Sequence, residues 1–392
     1  MSRVLVISNV VPLKNGIGGH KTLYLHISNS LDHQFFIVSD GPCDHTPKYV
    51  LKHSLLSRLI IKLCSLRVGW LPLIIREFIT AYDLDCINNI IEHWKPDVIL
   101  TVAHGQLWRV AMSVAKSSGI PLISIFYDWW PELIDIPSWA RRYISKQLFT
   151  LKDQSVAIVC ISHGMRNLLG EHPSSWLLYP VSEIISKSPN TTNKYYEKVG
   201  NACTIRYLGN TGEYGDMLES AMQTLLSNSS HRLEIGGSVP RWKTLSLEYV
   251  CSLNLVHGFI PSHELGEWLS NCDFLLALSS FAPHLRKFAS TTLPSKLSTY
   301  LQLGKPIIAW APSYSALGQL FLSTNCGLLI DDPSPTALLA AINNFTEEMV
   351  SCYSLRSTNV YLKLFLQSQL QHTFDTVISN SVFPVSSTHV YP

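Results

Sequence analysis

The sequence predicts two doubly wound α/β domains in tandem. Three observations carry this: a length of 392 residues, an apolar share of 46%, and short β-rich runs alternating with amphipathic stretches in two series, separated by a polar interruption. Strands that alternate with helices make parallel βαβ units buried on both faces.

In the first series RVLVISNV leads into a helix from Thr22 to Leu31 and then QFFIVSD. PDVILTVA, IPLISIFYD and SVAIVCIS follow, each before a segment of helical spacing, which gives a first domain over residues 1–180. VSEIISKSPNTTNKYYEKVGNA is rich in Ser, Asn and Lys and reads as a linker over residues 181–203. The rhythm restarts with CTIRYLGN, HRLEIGG, LNLVHGFI, CDFLLALS and KPIIAWAP, a second domain over 204–355. A C-terminal helix over 356–377, expected to pack back towards the first domain, and a loose tail over 378–392 complete the chain.

Composition narrows the function. With 30 Lys and Arg against 28 Asp and Glu the net charge is +2, so no global field calls for nucleic acid. The start reads as a strand rather than a secretory signal, and no apolar run reaches the roughly 20 residues that span a bilayer. Nine cysteines lie without metal-site spacing and read as reduced core residues of a cytoplasmic protein. One basic apolar segment, LKHSLLSRLIIKLCSLRVGWLPLIIREFITAY, suggests peripheral contact with the inner face of a membrane around Trp70; a helix covering the sheet is the other reading.

In open α/β sheets ligands bind beyond the carboxyl ends of the strands. After the first strand come Gly16, Gly18 and Gly19, just before a helix, where uncapped N–H groups suit an anion; Asp40 ends the next strand, but the dinucleotide fingerprint is absent. The second domain opens alike, with Gly209, Asn210, Thr211 and Gly212 ahead of a helix. A third helix start, at Pro294, Ser295 and Lys296, is a fair place for a diphosphate, and the long loop before it carries Arg286 and Lys287 as part of a closing lid. In the first domain His104 and Asp128 follow strands and suit acid-base or orienting roles. Tyr127, Trp129 and Trp130 beside Asp128 offer a sugar-stacking platform, with core tryptophans and a capping Asp128 as the plain alternative.

These pieces together resemble the retaining GT-B glycosyltransferases of the large group-1 family, also called glycosyltransferase family 4, over nearly the whole chain. The matching segments are GGHKTLYLHISNSL, VCISHGMRNLL, YLGNTGEYGDMLESA, NLVHGFIPSHELGEWLSNCDFLLALS and PSKLSTYLQLGKPIIAW, in family order. The resemblance implies two Rossmann-like domains facing a central cleft, with acceptor binding in the first and nucleotide-sugar binding in the second. It places Gly18, Gly19, Gly209, Asn210 and Thr211 at the donor diphosphate and Ile260 at the base; Thr292, Ser295 and Thr299, around the third helix start, are also expected among the donor contacts. The chain departs from the pattern where Tyr127 replaces the usual His, where Thr291 and Thr299 replace a spaced Glu pair, and where Asn210 and Tyr214 replace an Arg and Lys. Neutralisation of the phosphates then falls to Arg286, Lys287 and Lys296. The implied reaction is hexosyl transfer from a nucleotide-diphosphate donor to a sugar, lipid-linked or small-molecule hydroxyl, with retention and without metal or other cofactor. Glycan, glycolipid or small-molecule glycoside synthesis all fit. A sugar-nucleotide epimerase and a catalytically degenerate scaffold are the alternatives.

Overall fold

The computed structural model describes residues 1–51, 59, 62–63, 70, 75, 85–184 and 202–382. Most of the basic segment around Trp70, residues 185–201 of the linker and the tail from residue 383 lie outside the described residues.

The chain forms two compact units, Met1–Tyr179 together with the C-terminal helix from Gln367, and Pro180–Leu366. In the first unit the elements run β1 (Ser2–Ile7), α1 (Gly19–Asn29), β2 (His33–Ser39), β3 (Lys48–Val50), α2 (Asp85–Trp94), β4 (Val98–Val102), α3 (Leu107–Ser118), β5 (Leu122–Phe126), α4 (Ser138–Gln154), β6 (Ala157–Cys160), α5 (His163–Leu169) and β7 (Ser175–Leu177). All strands pair in parallel, in the order β3-β2-β1-β4-β5-β6-β7. The apolar runs predict this well: every residue of VILTV and of LISIF is buried, as strands covered by helices on both faces require.

The second unit holds β8 (Thr204–Gly209), α6 (Gly215–Asn228), β9 (Arg232–Gly237), α7 (Leu247–Ser252), β10 (Val256–Gly258), α8 (Ser262–Ser270), β11 (Phe274–Leu278), α9 (Arg286–Thr291), α10 (Lys296–Leu303), β12 (Ile307–Trp310), α11 (Ala316–Thr324), β13 (Leu328–Ile330), α12 (Pro335–Asn343) and α13 (Glu347–Val360). Its sheet is also parallel, in the order β10-β9-β8-β11-β12-β13. Strand order reverses between β1 and β4 and again between β8 and β11, and such switch points are where doubly wound sheets open a crevice. Helix ends follow the capping rules: Ser162, Ser315 and Thr346 accept from the N–H of Met165, Gly318 and Met349, while Gly119 and Gly304 end α3 and α10 in the left-handed region.

After α13 a π-helical turn, Tyr361–Phe365, leads to α14 (Gln367–Val382), which lies against α1, β1, β4 and β5. The helix continues past the Val377 end read from the sequence, because Ile378 is fully buried in the first unit. It is fastened there by polar bonds: Ser30 Oγ donates to Asp375 Oδ1 at 2.7 Å, Gln371 Nε2 donates to the His26 carbonyl at 3.1 Å, and the His26 ring stacks on Phe374.

Candidate functional site

The second unit gathers most of the candidate donor residues at the carboxyl end of its sheet. β8 ends in Gly209 at φ 142° and its neighbour β9 in Gly237 at φ 118°. A Cβ on Gly237 would lie 2.3 Å from the Gly209 carbonyl oxygen, and one on Gly209 only 1.4 Å from Lys296 Nζ. Glycine is therefore required at both strand ends for the backbones and the lysine to approach so closely. The loop that follows is fixed by its own polar groups. Tyr207 donates its hydroxyl to the Asn210 carbonyl at 2.5 Å, Asn210 Oδ1 accepts from Gly212 N at 3.1 Å, and Ser238 Oγ accepts from Thr211 N at 2.8 Å. Asn210 and Thr211 thus shape the loop through these bonds, and Ser238, the residue after Gly237, is a member that the sequence reading missed. α6 begins next, with no side chain capping its first N–H groups.

Lys296 is half-buried, its ammonium 4.8 Å from the centroid of the Tyr207 ring. It forms no ion pair with any described residue. Desolvation brings its pKa down to about 8, opposed by the charge of Glu213. Such a cation, partly stripped of water and facing a glycine strand end, favours an anion that can replace its hydration. Burial pushes the Tyr207 and Tyr300 hydroxyls up, so both stay protonated, and Tyr300 accepts from Leu208 N at 2.8 Å.

The remaining donor candidates are distributed around this point. Arg286 and Lys287 are exposed at the start of α9. The expected long lid loop is instead a 3-10 turn at Pro283–Leu285 continuing into α9, because Leu285, Phe288 and Ala289 are buried beneath it. Arg286 stacks on Tyr314 with its guanidinium carbon 3.8 Å from the ring centroid. Ser295 occupies the cap position of α10 without its hydroxyl capping an N–H. Thr292 holds a buried hydroxyl with no partner among the described residues. Thr299 is 8% exposed on the inner side of α10, and Thr291 spends its hydroxyl on the Lys287 carbonyl at 2.9 Å. Ile260, just after β10, packs with Trp268 over Gly236.

In the first unit Gly18 precedes α1 at φ 56°, and a Cβ on Gly19 would touch the Tyr127 ring at 2.8 Å. The same glycines that free the start of α1 therefore seat it on the end of β5. His104 and Asp128 each lie two residues beyond the paired strands β4 and β5, so both stand at the carboxyl end of the sheet; His104 is exposed and Asp128 half-buried. Burial, aided by the charge of Asp128, raises the Tyr127 hydroxyl above its usual range. The stacking platform is corrected: Trp129 is wholly buried against Phe149, and Trp130 is 4% exposed with its indole N–H donated to the Ala103 carbonyl at 2.8 Å. Both rings serve the core, which leaves no open face for a sugar. Asp40 is engaged too, accepting from Asn9 Nδ2 at 2.6 Å, while Asn9 Oδ1 accepts from Gln106 N and Leu107 N at 2.6 and 2.7 Å. Asn9, missed in the sequence, fills the N-terminus of α3 and ties three strand ends together.

Among the described residues no group of three His, Cys, Asp or Glu side chains is placed to hold a metal, and no helix is long and apolar enough to cross a membrane. A cavity of about 880 Å³ lined by Arg166, His172 and Ser175 opens at the amino end of β7, opposite these loops.

No sequence-family model matches the chain, and no curated protein matches it by sequence. Solved structures do match, over 96–97% of its length. HepE of Anabaena, crystallised with UDP and glucose, has a TM-score of 0.65 at 13% identity, covering 97% of this chain and 100% of that one. TarM follows at 0.62 and 9% identity over 96% and 98% of the two chains. AviGT4, a glycosyltransferase involved in avilamycin A biosynthesis, has a TM-score of 0.53 at 12% identity over 97% and 98%. The fold is GT-B. In this GT-B chain both Rossmann-like sheets keep strand orders that reverse after the first strand, and the glycine turns after β1 and β8 sit at those reversals.

Proposed function

We propose that this protein transfers a sugar from a nucleotide-diphosphate donor to an acceptor hydroxyl, with the donor bound by the second unit. The observation that carries the reading is Lys296: a half-buried ammonium without an ion pair among the described residues, set against the Gly209 strand end at the β8/β11 switch point. Negative charge develops on the departing diphosphate in the transition state, so a cation and free helix N–H groups already in place lower the barrier without reorganising. Arg286 and Lys287 supply further positive charge, and we take the reaction to proceed without a resident metal, which activity retained in EDTA tests. Asp128 and His104 are the groups proposed to orient the acceptor hydroxyl or assist its proton loss, and retention follows the family resemblance. Sugar, lipid-linked and small-molecule acceptors remain within this reading, as does a peripheral membrane position of a cytoplasmic enzyme.

The test is a thermal-shift panel of UDP, GDP, ADP and their sugar conjugates, since a ligand of the folded state raises Tm by mass action; UDP is the first choice because HepE was crystallised with it. A shift with one base that Lys296→Ala abolishes supports the reading. A second reading, a scaffold that has lost catalysis, is favoured by Thr291 and Thr299, whose hydroxyls cannot act as carboxylates, and silence across the panel would select it. Release of an epimer from donor alone would select the epimerase instead.

A further inference from the structure

The stack of Arg286 on Tyr314 has both partners on anchored elements. α9 is held down by Leu285, Phe288 and Ala289, all buried. Tyr314 belongs to the turn after β12, where Ser315 N donates to the Pro312 carbonyl at 2.9 Å and Ser315 Oγ accepts from Gly318 N at 2.9 Å. The turn is close-packed as well, because a Cβ on Gly318 would lie 2.3 Å from the Pro312 oxygen. The guanidinium carbon lies 3.8 Å over the ring centroid, a separation at which a planar guanidinium packs its flat face on an aromatic ring. The five N–H donors of a guanidinium lie in its plane, so a face contact leaves them directed outward along the edge. Arg286 is exposed, and its guanidinium forms no hydrogen bond or ion pair with a described residue. It follows β11 and Tyr314 follows β12, and these strands pair in parallel, so the stack stands at the same carboxyl end of the sheet as Gly209 and Lys296.

We infer that Tyr314 is a positioning residue: it holds Arg286 edge-outward as a second anion-recognising group, in addition to Lys296, for the diphosphate of a nucleotide. This rests on the donor-binding reading of the second unit. An exposed Arg otherwise samples many rotamers, and fixing it beforehand removes part of the ordering cost of binding.

The experiment is calorimetric titration of the full chain with UDP, GDP and ADP, and with inorganic pyrophosphate as a base-free probe. Tyr314→Ala should weaken the diphosphate that binds by roughly two- to fivefold, the range of an exposed cation–π contact, whereas Tyr314→Phe keeps the ring and the affinity. In an Arg286→Ala background Tyr314→Ala should add nothing, since the partner it positions is gone. A role confined to folding would lower Tm and give the same loss in both backgrounds, which overturns the inference. Unchanged binding in Tyr314→Ala, with Lys296→Ala still disruptive, overturns the inference and leaves the donor reading standing. Should the alanine variant fail to fold, Tyr314→Leu keeps the bulk without the π face and is read by the same criteria. If the wild-type chain binds none of the four probes, the donor reading falls and the inference with it.

Discussion

The charge of Lys296 should make nucleotide binding depend on pH in a defined direction. Desolvation puts its pKa at about 8 in the free protein, so about nine-tenths of the side chains carry a proton at neutral pH and about one-tenth one unit above the pKa. If only the ammonium attracts the diphosphate, the apparent Kd should double by about pH 8 and rise by about tenfold by about pH 9, because each lost proton removes a binding-competent molecule. The phosphate itself does not confuse this window, since its last proton leaves near about pH 6. Titration calorimetry with UDP, from about pH 7 to about pH 9.5 in paired buffers of different ionisation enthalpy, reads both the affinity and the proton taken up on binding. Lys296→Arg should remove the dependence, because a guanidinium does not deprotonate in this range. Lys296→Met should bind weakly at every pH with a flat profile. A flat wild-type profile, or a slope that survives in Lys296→Met, refutes the assignment of Lys296 to the diphosphate.

Three further outcomes are expected. His26 is 1% exposed and its pKa is lowered to about 4, by desolvation against a weaker opposing bond to Gln371. The unfolded chain therefore takes up a proton that the folded chain refuses as pH drops below about 6.5, and stability should fall by on the order of 3 kcal/mol down to about pH 4; His26→Phe should flatten this stretch of a Cm-against-pH plot. Glu219 is pushed up by burial, but the N–H groups of Leu245, Thr244 and Lys243 and the Thr244 hydroxyl outweigh this and bring its pKa to about 2. Its contribution is present above the unfolded carboxylate range and lost as pH falls through about 2, so Glu219→Gln should lower Tm at neutral pH and lose that separate acid step, which thermal melts across both windows resolve. Gly237→Ala forces a Cβ to within 2.3 Å of the Gly209 carbonyl at φ 118°; a loss on the order of 3 kcal/mol in urea unfolding is expected, and a neutral result would mean that the two strand ends are not held together as described.

The sheets were legible because parallel strands are buried on both faces, so FLLAL and VILTV stand out as unbroken apolar runs. β3, β7 and β13 escaped because each spans 3 residues and is at least partly exposed, too short for a period to show; β10 is as short but stands within the longer run LNLVHGFI. The glycine turns were legible for a local reason, since a glycine just after a strand and before a helix serves the backbone in any context. What lay beyond the sequence was pairing across distance. Trp129 and Trp130 read alike as ligand platform or core, and only Phe149 and the Ala103 carbonyl decide between them. Asn9 caps a helix whose first residues lie 97 and 98 positions away. Lys296 could be placed on a helix start but not against Gly209, because their meeting depends on β8 and β11 being neighbours, which follows from strand order rather than from either segment. The same holds for Arg286 and Tyr314, which meet because β11 pairs with β12. A switch point is by construction where segments distant in sequence are brought side by side. Local patterns therefore locate the loops of such a site one at a time, and the order of the strands determines which of their side chains act together.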